Sequence, residues 1–405
     1  MSVRYNSNLD MLPPYLFADM DRKRRTVQES IARGEGKYNS IIPLAVGDPD
    51  LSTPQPIIEA MKKDADNYHG YPDYEGLPEL RQAIVDYYGR RAEVSILPND
   101  VSVSMGAKTD LFDFVRAFSN PGDIVLVQDP AYPVYVNSTI IDGRELKFWP
   151  SGDDTIPMMP SQFLSRDDLQ RLAVVYICNP NNPTGKHIHL HYMKEYVEDA
   201  MRTKDIVGRS YLIVHDIAYW DFKPGGTPFV HDLRAPSIFE IDGAKEVAIE
   251  CGSFSKPYSM TDKRLSWVIG RRDIGNIWGR YRTNRDSGVT HSIQMAGVEA
   301  LKNPAVEEEV KANMGIYGER ARVLVQGLRK LGLQCNDLEF TPYVWARVPE
   351  SFTSASFAEH MLENAYVGVT PGSGFGKEGE GFIRVTVFKP VDVLQEALYR
   401  MEKSL

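Results

Sequence analysis

The sequence predicts an α/β protein, a three-layer α/β/α major domain joined to a smaller α+β domain. Three observations carry that expectation. Short apolar runs recur at VSVS (101–104), IVLVQ (124–128), AVVYIC (173–178), YLIVH (211–215) and VAIEC (247–251). Strands that stay apolar along their length, instead of alternating, belong to a sheet covered on both faces. Helix-compatible stretches follow the first two runs, beginning near Ala107 and Tyr132, and alternating strands and helices build parallel units. Finally, 405 residues with 42% apolar and 25% charged side chains supply a large core but exceed one small domain.

Residues 1–45 read as an arm and a part of the smaller domain. LPPYLF (12–17) is stiffened by its prolines and cannot lie inside a helix; a charged, helix-compatible run follows to Gly34. IIPLAVGDPD (41–50) is a short strand and then a turn rich in Gly, Asp and Pro. The major domain spans 46–285 and holds the five apolar runs. Residues 286–405 form the smaller domain: helical patterns near 289–332, a strand-like FTPYVWARV (340–348), a helix, GFIRVTV (381–387) and a last helix.

The formal charge is −9. A chain this acidic has no global attraction to phosphate backbones or anionic lipid, so neither nucleic acid nor a membrane is an expected partner. Cys178, Cys251 and Cys335 are scattered and form no CxxC, which argues against a disulfide framework or a metal site and for a reducing compartment. The N-terminal MSVRYNSNLDM is polar, and no apolar run approaches a membrane span. The expected location is the cytoplasm.

In an open α/β sheet, ligands collect at the carboxyl ends of strands. After VSVS come Met105-Gly106-Ala107-Lys108; after IVLVQ comes DPAYP (129–133); after AVVYIC comes NPNNPTG (179–185); after YLIV come His215 and Asp216, with Tyr219 close by; after VAIE comes CGSFSK. Gly106 at a helix start offers free amides and the positive end of a dipole, which suits a phosphate. Ser253, Ser255 and Arg264 add hydroxyls and a guanidinium fork. Asp216 at a buried strand end wants a cationic partner, such as a ring N–H⁺. Tyr132 offers a face for a ring to stack on, and Lys256 an amine able to form a Schiff base. Taken singly, each has a plain structural reading: a solvated lysine, a helix-capping aspartate, a Pro-rich loop. Taken together, each at a strand end, they describe a site for pyridoxal 5′-phosphate (PLP).

With these residues in view, the chain resembles the fold-type I PLP-dependent enzymes of the class I/II aminotransferase family, over nearly its whole length. SFSK (253–256) with Arg264 resembles the family's cofactor-lysine signature, NPNNPTG its Asn-Pro-Thr-Gly loop, and HDIAY (215–219) the strand end carrying its pyridine-nitrogen aspartate. GYPDYEGLPELR (70–81), TPGSGFG (370–376) and FIRV (382–385) match further blocks. LPPYLF, GDPDLSTP, GYPDYEG, the GAK turn and NRDSG (284–288) are most similar to the branch holding LL-diaminopimelate aminotransferases. The resemblance implies an aspartate aminotransferase-like fold and a set of roles. Lys256 forms the Schiff base, then shuttles a proton on the way through a quinonoid intermediate. Asp216 keeps the pyridine nitrogen protonated, Tyr132 stacks on the ring, and Asn182 and Tyr219 bond its phenolic oxygen. Gly106, Ala107, Lys108, Ser253, Ser255 and Arg264 hold the phosphate, which Tyr71 reaches across a homodimer interface. Arg384 takes the substrate α-carboxylate, helped by Asn182 and the Gly47 backbone, with Tyr15 also at the substrate. Asn182-Pro183 and Asp129-Pro130 are expected cis peptides. The implied partners are an amino acid and a 2-oxo acid.

Several positions depart from the family pattern. After the lysine, Asp262, Lys263 and Ser266 stand where Gly, Trp and Gly are usual; Thr109 and Asp110 replace a Glu and a Gly; Trp220 and Asp221 replace smaller or neutral residues. Asp110 and Asp221 read as surface charges, or as groups suited to a cationic substrate tail. The same fold also includes oxidases that pass electrons from an arginine-derived quinonoid to O2, so an O2-dependent arginine oxidase is the alternative to transamination. Transamination comes first because the general signatures are intact. A third class, the transcription regulator with an aminotransferase-like sensor domain, needs a DNA-binding module ahead of the match. The match begins within the first dozen residues, so that reading is not expected; specific promoter binding in a gel shift at physiological salt would restore it.

Overall fold

The computed structural model of the chain describes residues 3–13, 18–65, 68–150, 157–225 and 234–405. Its centre is a seven-stranded sheet. The strands in chain order are β1 (Val101–Ser104), β2 (Ile124–Asp129), β3 (Glu145–Pro150), β4 (Leu172–Cys178), β5 (Leu212–Asp216), β6 (Ala248–Ser253) and β7 (Ser266–Gly270). Across the sheet they lie β1-β7-β6-β5-β4-β2-β3, and only β7 runs antiparallel to its neighbours. Every residue of β2, β4, β6 and β7 is buried. Successive side chains point to opposite faces, so Ile124 and Leu126 enter one core and Val125 and Val127 the other.

Helices cover both faces. Gln55–Asp64, Pro78–Ala92 and His291–Lys302 pack together on one side, with Ile57, Leu80, Ala296 and Leu301 in its core. Ala107–Phe118, Pro133–Ile141 and Arg272–Arg282 supply Phe114, Val115, Tyr135 and Trp278 to the other. This is the expected three-layer architecture. Two strands were not foreseen. β3 reads ELKFWP and alternates like an edge strand, which is where it lies. β7 is five residues long and follows directly on a turn.

A second sheet is wholly antiparallel: β8 (Gln334–Cys335), β9 (Tyr343–Arg347), β10 (Thr370–Pro371) and β11 (Phe382–Thr386), in the order β10-β11-β9-β8. The long helix Pro304–Lys330 and the last helix Val391–Glu402 pack against one another and fill its core with Leu324, Leu328, Leu394 and Met401. The early segment forms a separate two-stranded pair beside this sheet. Ile42–Pro43 pairs parallel with Val367–Gly368, and Leu44 O accepts the Thr386 amide at 3.0 Å. That placement delivers Gly47 to the cleft between the two sheets. Among the described residues no helix is long and apolar enough to cross a membrane.

Candidate active site

Because β4, β5 and β6 are parallel, the loops that follow them open on one edge of the sheet. β7 runs the other way, so its first residue lies at that same edge, with Ser266 in register with Ser253 of β6 and Ser104 of β1. The edge therefore gathers Gly106, Tyr132, Asn182, Asp216, Ser253, Ser255, Lys256 and Arg264. Lys256 sits in the turn after β6, largely buried, and its Nζ donates to Gly47 O at 2.5 Å. Asp48 Oδ1 is 3.9 Å away.

Asp216 ends β5 and is 3% exposed. Tyr135 donates its hydroxyl to Oδ2 at 2.6 Å and the Ala218 amide donates to Oδ1 at 3.0 Å. No ion pair reaches this carboxylate among the described residues. Burial pushes its pKa up, against the pull of those two donors. A buried acid of this kind can take a cation from a ligand. Tyr135 is a site residue the sequence reading missed. It lies three residues after Tyr132 in DPAYPVY, one helical turn on, and that spacing was the available signal. Its ring stacks on Tyr176 at 4.6 Å and meets Tyr132 edge-on at 5.9 Å.

A cup suited to phosphate lies at the neighbouring strand ends. Gly106 has φ +93°, and a Cβ there would fall 2.3 Å from an Arg264 terminal nitrogen. Only glycine lets the turn and the guanidinium approach so closely. The amides of Ala107 and Lys108 at the helix start have no acceptor among the described residues. Ser253 and Ser255 are buried opposite, with the Ser255 amide donating to Ser253 Oγ at 3.1 Å.

On the second sheet, Arg384 is 6% exposed on β11. Its Nη1 donates to Asn182 Oδ1 at 2.7 Å and its Nη2 to Ala45 O at 3.1 Å. Tyr343 and Phe375 bracket the guanidinium, at 4.0 and 4.8 Å from their ring centres, and its Nε has no partner among the described residues. Tyr219 donates to the Tyr343 hydroxyl at 3.2 Å. A Cβ on Gly47 would fall 1.9 Å from that same hydroxyl. Tyr343 thus ties Gly47, Tyr219 and Arg384 together; it too was missed, although strand alternation in FTPYVWARV puts it on one face with Trp345. The Asn182-Pro183 and Asp129-Pro130 bonds are cis as expected, and so is Asn179-Pro180. Tyr71 is 91% exposed and meets none of these groups. Tyr15 lies outside the described residues.

The departures find places the sequence did not suggest. Asp110 and Asp221 are not surface charges. Asp110 is wholly buried, where it accepts from Ser266 Oγ at 2.8 Å. Asp221 is buried beside Arg91, whose Nε donates to it at 2.7 Å, and it also accepts from Tyr87. Trp220 is buried with them, edge-on to Tyr87 at 5.4 Å. Asp262 is exposed and pairs with Lys263 at 2.7 Å. A single sequence shows that an acid is present, not that its helix or strand faces inward.

A buried carboxylate awaiting a cation, a cup of free amides with an arginine, an amine turned into the same cleft and an aromatic-bracketed arginine together fit PLP and an amino acid. The chain belongs to the family described as aminotransferase class I and II, whose profile matches residues 39–400. The LL-diaminopimelate aminotransferase of Aquifex aeolicus is 38% identical over 401 residues, covering 98% of each chain. That of Moorella thermoacetica is 39% identical over 399 residues, covering 97% of this chain and 96% of its own. Among solved structures, substrate-bound BacF from Bacillus subtilis superposes with a TM-score of 0.88 at 28% identity, covering 100% of this chain and 98% of that one. The protein is a PLP-dependent aminotransferase whose small-molecule partners are an amino acid and a 2-oxo acid.

Proposed function

We propose that the donor is a free L-amino acid with a second polar or basic terminus, LL-diaminopimelate being the first candidate, and that the amino group passes to a 2-oxo acid. The observation that carries this reading is the Arg384 guanidinium, buried, ring-bracketed and with Nε unpartnered. A planar fork of donors so fixed fits an α-carboxylate. The similarity to diaminopimelate-specific relatives supports the long polar tail.

PLP, when bound, supplies a protonated ring that withdraws electrons and makes the substrate Cα–H acidic. The chain's residues do the rest. Asp216 holds the ring-nitrogen proton, and Tyr135 holds Asp216. Lys256 Nζ, turned into the cleft, would hold the cofactor's carbonyl carbon and would serve as the base that carries a proton from the substrate Cα. Asn182 and Tyr219 address the ring oxygen, Tyr132 its face, and Gly106, Ala107, Lys108, Ser253, Ser255 and Arg264 its phosphate. Arg384, Asn182, Gly47 and Tyr15 belong to the substrate. Tyr71 serves the phosphate of the partner subunit in a homodimer, and its exposure, with Tyr68 56% and Tyr74 37% exposed nearby, supports such a contact. The free thiols at Cys178, Cys251 and Cys335 support a cytoplasmic location. The domains we assign are 46–285 for the large unit and 1–45 with 286–405 for the small one, with one change: the helix His291–Lys302 goes with the large unit, whose core it enters.

The arginine-oxidase alternative has no observation in its favour: Asp110 and Ser266 bond each other, Asp221 pairs with Arg91, Trp220 donates to Ala235 O and Asp262 pairs with Lys263. The test is an absorbance scan of the purified protein against an amino-acid panel that includes LL-diaminopimelate and arginine, with dissolved oxygen followed in parallel. The reading expects LL-diaminopimelate to bleach the visible band of the lysine-bound cofactor without oxygen uptake. Oxygen consumption with arginine would overturn it.

A further inference from the structure

Two of the departures touch. Asp110 and Ser266 each stand where the family pattern has a glycine, and they are 156 residues apart in the chain. In the fold Ser266 Oγ donates to Asp110 Oδ2 at 2.8 Å and accepts the Gly106 N–H at 2.9 Å. Both side chains are fully buried. A buried carboxylate opposite glycine would lose a donor, and a buried hydroxyl opposite glycine would lose an acceptor. Each substitution is therefore costly alone and satisfied by the other. The hydroxyl sits in register between Ser104 and Ser253, at the seam where the amide turn meets the serines of the cup.

We propose that Ser266 and Asp110 are a matched positioning pair that pins the Gly106 amide, and so sets how firmly, and with what dependence on pH, the turn at 106–108 holds the cofactor phosphate. This rests on that turn being the phosphate site. The pinning is geometric. With its N–H fixed on Ser266, the Gly106 peptide is held at φ +93°, and the next two amides project unpaired. A hydroxyl that donates to a carboxylate is also a stronger acceptor.

The pH dependence follows from charge. Asp110 faces Ser104 on β1, Ser266 on β7, Cys251 Sγ on β6 at 4.0 Å, Arg282 in the helix Arg272–Arg282, and Arg285 just beyond it. Asp113 lies one turn along its own helix and pairs with Arg285. Arg282 and Arg285 both pair with Asp286. Burial pushes the Cys251 thiol far above its usual range, so it stays neutral. Burial also pushes the Asp110 carboxyl up to about 6, against the pull of Arg282, Ser266 and Arg285, and its Oδ1 has no partner among the described residues. A phosphate dianion in the cup favours the protonated acid further. Binding then takes up a proton, so affinity falls as pH rises through the titration of Asp110.

The experiment titrates dialysed wild-type, Ser266→Ala, Asp110→Asn and doubly substituted Asp110→Asn/Ser266→Ala proteins with PLP, from about pH 5 to 8. It follows the visible band and the 31P resonance of the bound phosphate. Loss of one hydrogen bond predicts about 3- to 10-fold weaker binding for Ser266→Ala, with a moved 31P resonance. Asp110→Asn should bind with a flatter pH dependence than wild type. The double variant should lose less than the two single losses combined. Unchanged affinity and 31P position in Ser266→Ala, or an undiminished pH slope in Asp110→Asn, would overturn the pair. Neither readout needs substrate, so a protein that binds PLP but rejects LL-diaminopimelate refutes the proposed substrate and leaves this inference standing.

Discussion

Arg384 shows how little room a functional side chain is left. Its two terminal nitrogens are engaged, its faces are covered by Tyr343 and Phe375, and its Nε has no partner among the described residues. Arg384→Lys keeps the charge but loses the fork, so the donor KM should rise at least about tenfold while the protein still binds PLP. An unchanged KM would remove Arg384 from the substrate site. Asp110 makes the opposite point, since its charge is a burden to the fold. Its pKa is raised on folding, so the native state binds more protons than the unfolded chain between the ordinary carboxylate range and about pH 6. Stability contributed at this site is therefore greatest at low pH and falls as pH rises through that window. Asp110→Asn should melt higher relative to wild type at pH 8 than at pH 4. The reverse order by calorimetry would mean that the carboxylate is well solvated or paired.

At the scale of elements, continuous apolar runs declared themselves, and polar exceptions did not. Five of the seven strands in the large sheet were legible because both faces bury apolar side chains, so IVLVQ and AVVYIC admit no exposed side. β3 was hidden by Glu145 and Lys147, whose alternation is that of an edge. β7 was hidden by Ser266 and Gly270 at its ends and by the charged Asp262-Lys263-Arg264 turn before it. The strand ends were the legible part of the site, because glycines, prolines and ionisable groups cluster where a sheet must open. Tyr135 and Asp110 were missed for a shared reason: each lies inside a helix, and which face a helix turns inward depends on packing. The helix that carries Asp110 is held by Phe114, which is fully buried. Phe114→Ala should cost about 3–5 kcal/mol by chemical denaturation. A loss below about 1 kcal/mol would mean that this helix is not what braces the cup.

At the scale of the molecule, the proposed site draws on both sheets: Asp216, Lys256 and the turn at 106–108 come from the first, Arg384 and Tyr343 from the second. Tyr71 belongs to neither and stands in solvent. In a homodimer, light scattering should give twice the chain mass, and Tyr71→Phe should weaken PLP retention without changing that mass. A fully active monomer would refute the shared site. One short segment spans the gap. Leu44 donates to Gly368 O and accepts the Thr386 amide of the second sheet, and three residues later Gly47 O receives the Lys256 amine. That segment is a tether of fixed length. The contact that joins Lys256 to Gly47 O therefore also joins it, three residues back along the chain, to the second sheet at Thr386.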